Sequence, residues 1–178
     1  VTTWRATKSR RNSAARSNSR GPQDIASVDS GKVVIKETAH GFYGAKRHSN
    51  NSGELTALLR AVEREARTPA PEGGVTFRVD SLFAINIANG RWVAPKLHSV
   101  LARKLHVAYE EMRRGRPPGE VRIEHVRAHR GEPGNEVADD AAKQAAAGKG
   151  SDPRGRLERA CALYQGLTTA SPSSTTTT

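Results

Sequence analysis

Hydrophobic residues recur along this chain at helical intervals in some segments and at strand intervals in others. Residues 53–67 place Leu55, Leu58, Leu59 and Val62 on one face, which predicts an amphipathic helix, and residues 95–114 repeat that spacing. Short alternating or β-branched runs predict strands instead. The predicted elements are, in order, strands 32–37 and 40–47, helix 53–67, strand 75–79, helices 81–89 and 95–114, strand 121–126 and a helix that starts near Asn135.

The order of these elements predicts an α/β fold. A hairpin followed by alternating helices and strands indicates a mixed sheet flanked by helices. Residues 1–23 are dense in Arg, Ser and Asn without periodicity, which predicts a disordered basic arm. Residues 151–178 predict a mostly disordered tail, with one or two helical turns near 157–167. The domain is therefore expected to span residues 24–150.

The charge of the chain points to a polyanionic partner. The formal net charge is +11 and the sequence pI is about 10.5, which favours nucleic acid first and an acidic membrane surface second. The alternative is a basic arm without a specific partner, because the first 20 residues contain six Lys and Arg. A single cysteine excludes an intrachain disulfide and a zinc site built on several cysteines. No run has the length of a membrane span, so no membrane partner is expected.

Three carboxylates fall near the ends of predicted elements. Glu54 lies near the start of the first helix, Asp80 follows strand 75–79, and Asp139 lies in the first turns of the last helix. Ligand sites in open α/β sheets gather where strand ends and helix starts meet. Ordinary capping is the alternative for the last helix, because Asn135 is a good N-cap residue and carboxylates complement a helix N-terminus.

Three segments that carry these carboxylates resemble the acidic motifs of type 1 ribonuclease H domains. They are SNNSGELTAL, RVDS and HVRAHRGEPGNEVADDAA, at residues 49–58, 78–81 and 125–142. Their order matches the family, as does the spacing of His129, Asn135 and Asp139. The likeness covers roughly residues 32–148 and implies the ribonuclease H-like fold. Three ordered motifs are far more specific than any one of them.

The resemblance implies an endonuclease that hydrolyses the RNA strand of RNA–DNA hybrids with two metal ions. Glu54, Asp80 and Asp139 match the metal ligands of the family, and His129 matches a histidine that transfers a proton or helps the product to leave. Two Mg²⁺ ions, or Mn²⁺ in their place, would flank the scissile phosphate about 4 Å apart. Carboxylate oxygens suit Mg²⁺ because it prefers hard ligands.

The resemblance also assigns substrate contacts. Asn50 and Asn51 match the Asn pair that touches the hybrid, and Ser81 and Asn135 occupy substrate-facing positions of the motifs. Asn side chains both donate and accept hydrogen bonds, so they suit recognition of the 2′-hydroxyl. Helix capping is the alternative for these polar residues. Trp92 and the basic residues around it resemble the ridge that contacts the DNA strand, although Trp92 could equally be a core residue; those basic residues are Arg91, Lys96 and Arg103.

The sequence departs from the family at the first strand, where an Asp followed by Gly and Ser is expected. Asp29-Ser30-Gly31 is a scrambled form of that motif, but the interval to Glu54 is short for the strands that should lie between them. Alternatively, the first strand lies upstream of residue 1 or has degenerated within the arm. Without this carboxylate, the runner-up function is a catalytically impaired or inactive domain that binds hybrid or double-stranded RNA.

The remaining expectations concern context. The partner is expected to be an RNA–DNA hybrid, and the domain is expected to be a monomer. The chain begins at Val1, which suggests a processed product or a piece of a longer polyprotein. The Arg- and Ser-rich start is shared by mitochondrial transit peptides and by disordered arms, so the sequence leaves nucleus, cytoplasm and mitochondrion open as intracellular locations.

Overall fold

A computed structural model describes residues 3–9, 25–68, 74–127, 132–149 and 152–169 of the chain. In these residues the elements are β1 (Thr3–Ser9), β2 (Ile25–Lys32), α1 (Asn50–Ala66), β3 (Val75–Val79), α2 (Leu82–Ala88), a 3₁₀ turn (Lys96–His98), α3 (Ser99–Arg114), β4 (Val121–His125), α4 (Pro133–Ala146) and α5 (Pro153–Thr169).

The strands form two pairs of different type. β1 and β2 are antiparallel, with Thr3 opposite Lys32 and Ala6 opposite Asp29. β3 and β4 are parallel and in register from Val75 opposite Val121 onward. A parallel pair needs a long crossover, which α2 and α3 supply here. An α/β fold with helices flanking short sheets is confirmed, and it is consistent with a ribonuclease H-like fold.

The main core lies between α1, α2, α3 and the β3–β4 pair. On α1, Leu55, Leu59 and Val62 are fully buried, and the contacting face of α3 contributes Leu101 and Leu105, which are also 0% exposed. The spacing of these residues gives each helix one apolar face, so packing the two faces together removes both from water. Burying each such side chain contributes about 1.5–3 kcal/mol.

A second cluster joins β2, α4 and α5. It consists of Val28 from β2, Val137 and Ala141 from α4, and Ala160 and Tyr164 from α5. Ala160 and Tyr164 are four residues apart and therefore share one face of α5. The main core and this second cluster are separate groups of buried residues.

The predicted hairpin of strands 32–37 and 40–47 is wrong. Residues 33–49 form turns and extended segments, and the strand lies earlier, at Ile25–Lys32. The physical reason is the choice of partner: β2 hydrogen-bonds to β1 upstream rather than to the segment that follows it. Val33 still enters the main core, with 3% of its surface exposed, so the apolar residue is buried without a strand.

Two elements lie in segments for which the sequence predicts disorder. β1 falls within residues 1–23, and α5 is a 17-residue helix within residues 151–178. β1 pairs with β2 and contacts α1 and α4, and α5 is held by the second cluster. Both elements therefore depend on distant partners, which local composition does not reveal. The predicted domain limits at residues 24 and 150 stay predictions.

An ion pair links α5 to α4. The Arg159 guanidinium donates to both carboxylate oxygens of Asp140, with Nε–Oδ2 and Nη2–Oδ1 distances of 2.6 and 3.0 Å. Hydrogen bonding by Arg159 lowers the pKa of Asp140, and partial burial of the carboxyl opposes this shift without reversing it.

Among the helices in the described ranges, none has the length and apolar character needed to cross a membrane.

We expect Leu59→Ala to lower the free energy of unfolding by about 2–5 kcal/mol, because it leaves a cavity where α1 packs against α3. Leu82→Ala is the matched control, since the Leu82 side chain is 53% exposed. It should change stability by less than about 0.5 kcal/mol. Urea unfolding followed by circular dichroism measures both. Equal losses in the two variants would contradict the assignment of the main core.

Asp140→Asn should reduce thermal stability more at about pH 7 than at about pH 3. The folded pKa of Asp140 is depressed, so its stabilising effect is present above the unfolded pKa and is lost as the pH falls through the folded pKa. Glu158→Gln is the control, because it removes the exposed Arg154–Glu158 pair of α5. Melting curves of both variants at the two pH values test this, and a pH-independent effect of Asp140→Asn would contradict it.

Candidate functional site

The start of α1 is fixed by serine side chains. Ser49 is the N-cap, and its Oγ accepts a hydrogen bond from the Ser52 backbone N–H at 3.2 Å. The Ser52 hydroxyl donates to the Arg47 carbonyl at 2.8 Å. Asn50 and Asn51 are therefore the first two helical residues, and both are exposed. The cap predicted within residues 49–52 is confirmed, and Glu54 lies half-buried one turn into the helix.

The end of β3 carries the second predicted acid. Asp80 follows Val79 directly and is half-buried. The Val126 backbone N–H donates to the Val79 carbonyl at 2.9 Å, which extends the pairing with β4 to this edge. Ser81 is the N-cap of α2, and its Oγ accepts from the Ala84 N–H at 3.2 Å. Asp80 thus lies where the carboxyl ends of two parallel strands meet, and Ser81 has a capping role.

The last predicted helix begins earlier than the sequence suggests. α4 starts at Pro133 with Glu132 as N-cap, so the prediction that Asn135 is the N-cap is wrong. Proline suits the first helical position because its φ is already helical and its missing N–H would have no helical partner there. Asn135 is the third residue of α4, and its backbone N–H donates to the Glu132 carbonyl at 2.9 Å.

Asn135 and Asp139 lie on one buried face of α4. They are four residues apart, and their exposed fractions are 8% and 7%. Within the described part of the chain, the Asn135 Nδ2 atom has no hydrogen-bond partner. An amide donor that is buried without a partner is rare and unfavourable, so it suggests a role beyond stability.

Arg78 links the sheet to the start of α4, and the sequence motifs did not identify it. Its guanidinium donates to the Glu132 carboxylate at 2.6 Å and lies 3.6 Å from the Glu124 carboxylate of β4. Arg78 and Asp80 are two residues apart, so in an extended segment their side chains point to the same face. The alternation along β3 predicts which face Arg78 is on, but the sequence does not predict its two partners, because they lie in other parts of the chain.

The three predicted metal ligands are not brought together as a metal site. Across the described residues, no group of three or more His, Cys, Asp or Glu side chains is placed to hold a metal ion. Glu54 and Asp80 belong to α1 and β3, which pack in the main core, whereas Asp139 belongs to α4, which packs in the second cluster. The assignment of Glu54, Asp80 and Asp139 as metal ligands therefore stays a prediction.

The first-strand carboxylate is absent from β1, whose sequence TWRATKS contains no acid. Asp29, the other candidate, lies in β2, and its carboxylate is 3.7 Å from the Arg60 guanidinium of α1. The three alternatives for the first strand stay open, because contacts of β1 with α1 and α4 do not identify it as the family's first strand.

The histidine predicted to assist catalysis, His129, lies outside the described residues. The described chain stops at Arg127, which is exposed, and resumes at Glu132. The role of His129 therefore stays a prediction.

The predicted basic and aromatic ridge is on the surface. Trp92 is 52% exposed, which excludes a fully buried core position, and its ring lies 6.5 Å from the Phe83 ring. Three basic side chains close to it in sequence are also exposed, namely Arg91, Lys96 and Arg103. An exposed Trp with neighbouring cations suits contact with a nucleic-acid backbone.

Comparison with known proteins finds one family. The sequence model of the family described as RNase H matches residues 13–147. Glu54, Asp80, His129 and Asp139 all lie within the matched region, whereas β1 and α5 lie outside it. No curated protein and no solved structure matches the chain.

We expect Asn135→Ala to change the free energy of unfolding by less than about 1 kcal/mol, because the Nδ2 donor that it removes is not satisfied in the described residues. Asn89→Ala is the matched control. Asn89 donates to the Ile85 carbonyl at 2.9 Å, so its loss should destabilise by about 0.5–1.5 kcal/mol. Denaturant unfolding compares the two. A loss above about 2 kcal/mol for Asn135→Ala would show that its amide has a structural partner.

Proposed function

The chain belongs to the RNase H family, and on that premise we propose that it cleaves the RNA strand of RNA–DNA hybrids. The observation that carries the proposal is the position of its three acids. Glu54, Asp80 and Asp139 occur in the family order within the matched residues: Glu54 lies near the start of α1, Asp80 directly after β3, and Asp139 in the middle of α4. Unrelated surface acids have no reason to keep that order and those positions.

The surface features support a nucleic-acid substrate. Asn50 and Asn51 are exposed at the start of α1, the helix that carries Glu54. Amide side chains in this position can exchange hydrogen bonds with a 2′-hydroxyl, the group that distinguishes RNA from DNA. Exposed Trp92 and its basic neighbours offer cations to the phosphates of the other strand, and the net charge of +11 favours such contacts throughout.

Divalent metal ions are proposed as the cofactor, Mg²⁺ or Mn²⁺, because ribonuclease H domains generally use them. Hydrolysis of a phosphodiester needs an activated water and compensation of charge on the leaving oxygen, and metal ions supply both when bound. Glu54, Asp80 and Asp139 would hold the ions, although no group of three or more His, Cys, Asp or Glu side chains is placed around a metal position among the described residues.

A second candidate function is binding of hybrid or double-stranded RNA without cleavage. It is favoured by the absence of an Asp-Gly-Ser motif from the sequence upstream of Glu54 and by the lack of a three-residue metal group in the described residues. The basic surface and the exposed asparagines would serve this function equally well, because neither needs a complete set of carboxylates.

We expect Asp80→Asn and Asp139→Asn each to reduce cleavage of a labelled RNA–DNA hybrid by about 100-fold or more, the scale of losing one essential electrostatic group. Binding of the hybrid should be largely unchanged. Asp140→Asn is the matched control, because Asp140 is the neighbour of Asp139 in α4 and pairs with Arg159 of α5 instead. Asp140→Asn should cleave at close to the wild-type rate at a temperature where its melting curve shows that it is folded.

The wild-type chain is assayed with Mg²⁺, with Mn²⁺ and with EDTA. Metal-dependent cutting of the RNA strand alone, lost in both predicted-ligand variants, supports the nuclease. Wild-type rates in Asp80→Asn would refute the assignment of the acids. Tight hybrid binding with no cutting in any metal would establish the second candidate function in its place.

A further inference from the structure

The helix that carries Glu54 also carries a row of arginines. Arg60, Arg64 and Arg67 follow one another at intervals of four and three residues, so they lie along one side of α1. Because Leu59 and Val62 turn to the main core, this row faces away from it. At a rise of about 1.5 Å per residue, Arg64 is about 15 Å from Glu54 along the helix axis.

A cleft lies beside this row, between α1, β2 and the start of α5. Its volume is about 490 Å³, within the range of ligand pockets in proteins. β2 contributes Ser27, Val28 and Asp29 to the lining, and α5 contributes Pro153 and Arg156. The cleft is therefore formed partly by α5, which lies outside the residues that match the RNase H family.

The lining of the cleft carries an excess of positive charge. Four guanidinium groups line it, from Arg60, Arg64, Arg67 and Arg156, against two carboxylates, from Asp29 and Glu63. Guanidinium groups present planar, paired donors that match the oxygens of a phosphate, and they remain charged at any pH the protein meets. An excess of two positive charges in a concave site favours an anionic ligand.

The arginines differ in how firmly they are held. Arg60 is oriented by the Asp29 carboxylate at 3.7 Å, and its guanidinium lies 5.7 Å from the centre of the Tyr43 ring. Arg67 is 4.0 Å from Glu63. Arg64 forms no salt bridge with any residue that the structure describes, and its side chain is exposed. One side of the cleft is thus preorganised, and Arg64 is available to a ligand.

We propose that this arginine cleft binds phosphate groups of a nucleic-acid strand, at a site separate from Glu54, Asp80 and Asp139. A strand is favoured over a small anion because the whole chain is basic and because the cleft and Glu54 lie on one helix. At about 3.4 Å per base step, their axial separation corresponds to roughly four steps. The proposal extends the proposed function, but binding in the cleft does not require cleavage.

The test compares Arg64→Glu with Arg114→Glu in the full chain. Both variants reverse one exposed arginine on a helix, but Arg114 ends α3 and does not line the cleft. Binding of fluorescently labelled single-stranded RNA and of an RNA–DNA hybrid is measured in EDTA over a range of salt concentrations. Arg64→Glu should weaken binding about 10-fold. The slope of the logarithm of the binding constant against the logarithm of the salt concentration should fall in magnitude by about one, as expected for a lost phosphate contact. Arg114→Glu should resemble the wild type.

Equal strand affinities and equal salt dependences in the two variants would overturn the proposal.

A second experiment uses calorimetry with inorganic phosphate and with a nucleoside monophosphate. If either binds to the wild type but not to Arg64→Glu, while strand binding is unchanged, the cleft accepts a free phosphate and the assignment to a strand is wrong. If Arg64→Glu does not fold, judged by its melting curve, the milder pair Arg64→Gln and Arg114→Gln is compared in the same way.

The assay also separates this proposal from the proposed nuclease. Because EDTA prevents metal-dependent cleavage, a strand-binding loss confined to Arg64→Glu supports the cleft even if the chain cuts nothing. Conversely, if the chain cleaves the hybrid but Arg64→Glu binds strands as tightly as the wild type, the proposed function stands and the proposal for the cleft is wrong.

Discussion

Leu55, Leu59 and Val62 are removed from water where α1 packs against α3 and β3, and the rest of α1 is positioned by that contact. With its apolar face held in the main core, the helix has little freedom to rotate. Its start therefore presents Asn50, Asn51 and Glu54, while the arginine row follows a side turned away from the core. Both the candidate catalytic acid and the proposed phosphate cleft depend on the burial of this one face.

The buried residues fall into two clusters, and the elements that carry the three predicted acids are divided between them. Glu54 and Asp80 belong to α1 and to the end of β3, which pack in the main core, and Asp139 belongs to α4, whose buried apolar residues pack with β2 and α5. Arg78 bridges the two parts, because it contacts Glu132 at the start of α4 from within the parallel pair of strands.

The charges of the chain suit the nucleic-acid strand that is proposed as its partner. Exposed cations lie near Trp92 in the sequence, and guanidinium groups line the arginine cleft, whereas Glu54 and Asp80 are half-buried and Asp139 is buried. Carboxylates alone would repel a phosphate backbone, so cationic surfaces are needed to hold the strand near them. The positive net charge of the chain serves this need whether or not the strand is cut.

Local sequence determined the features that depend on near neighbours: the apolar faces of α1 and α3, the strand at residues 75–79, the cap at Ser49 and the three acidic motifs. Tertiary structure alone decided the partner of each strand, the folding of α5 and the contacts of Arg78. An alternating run shows that a strand can form, but the hydrogen-bonding partner lies elsewhere in the chain, and for β2 it is β1. For the same reason the motifs predict Glu54, Asp80 and Asp139 as site residues, whereas the contacts of the elements that carry them follow from packing between distant parts of the chain.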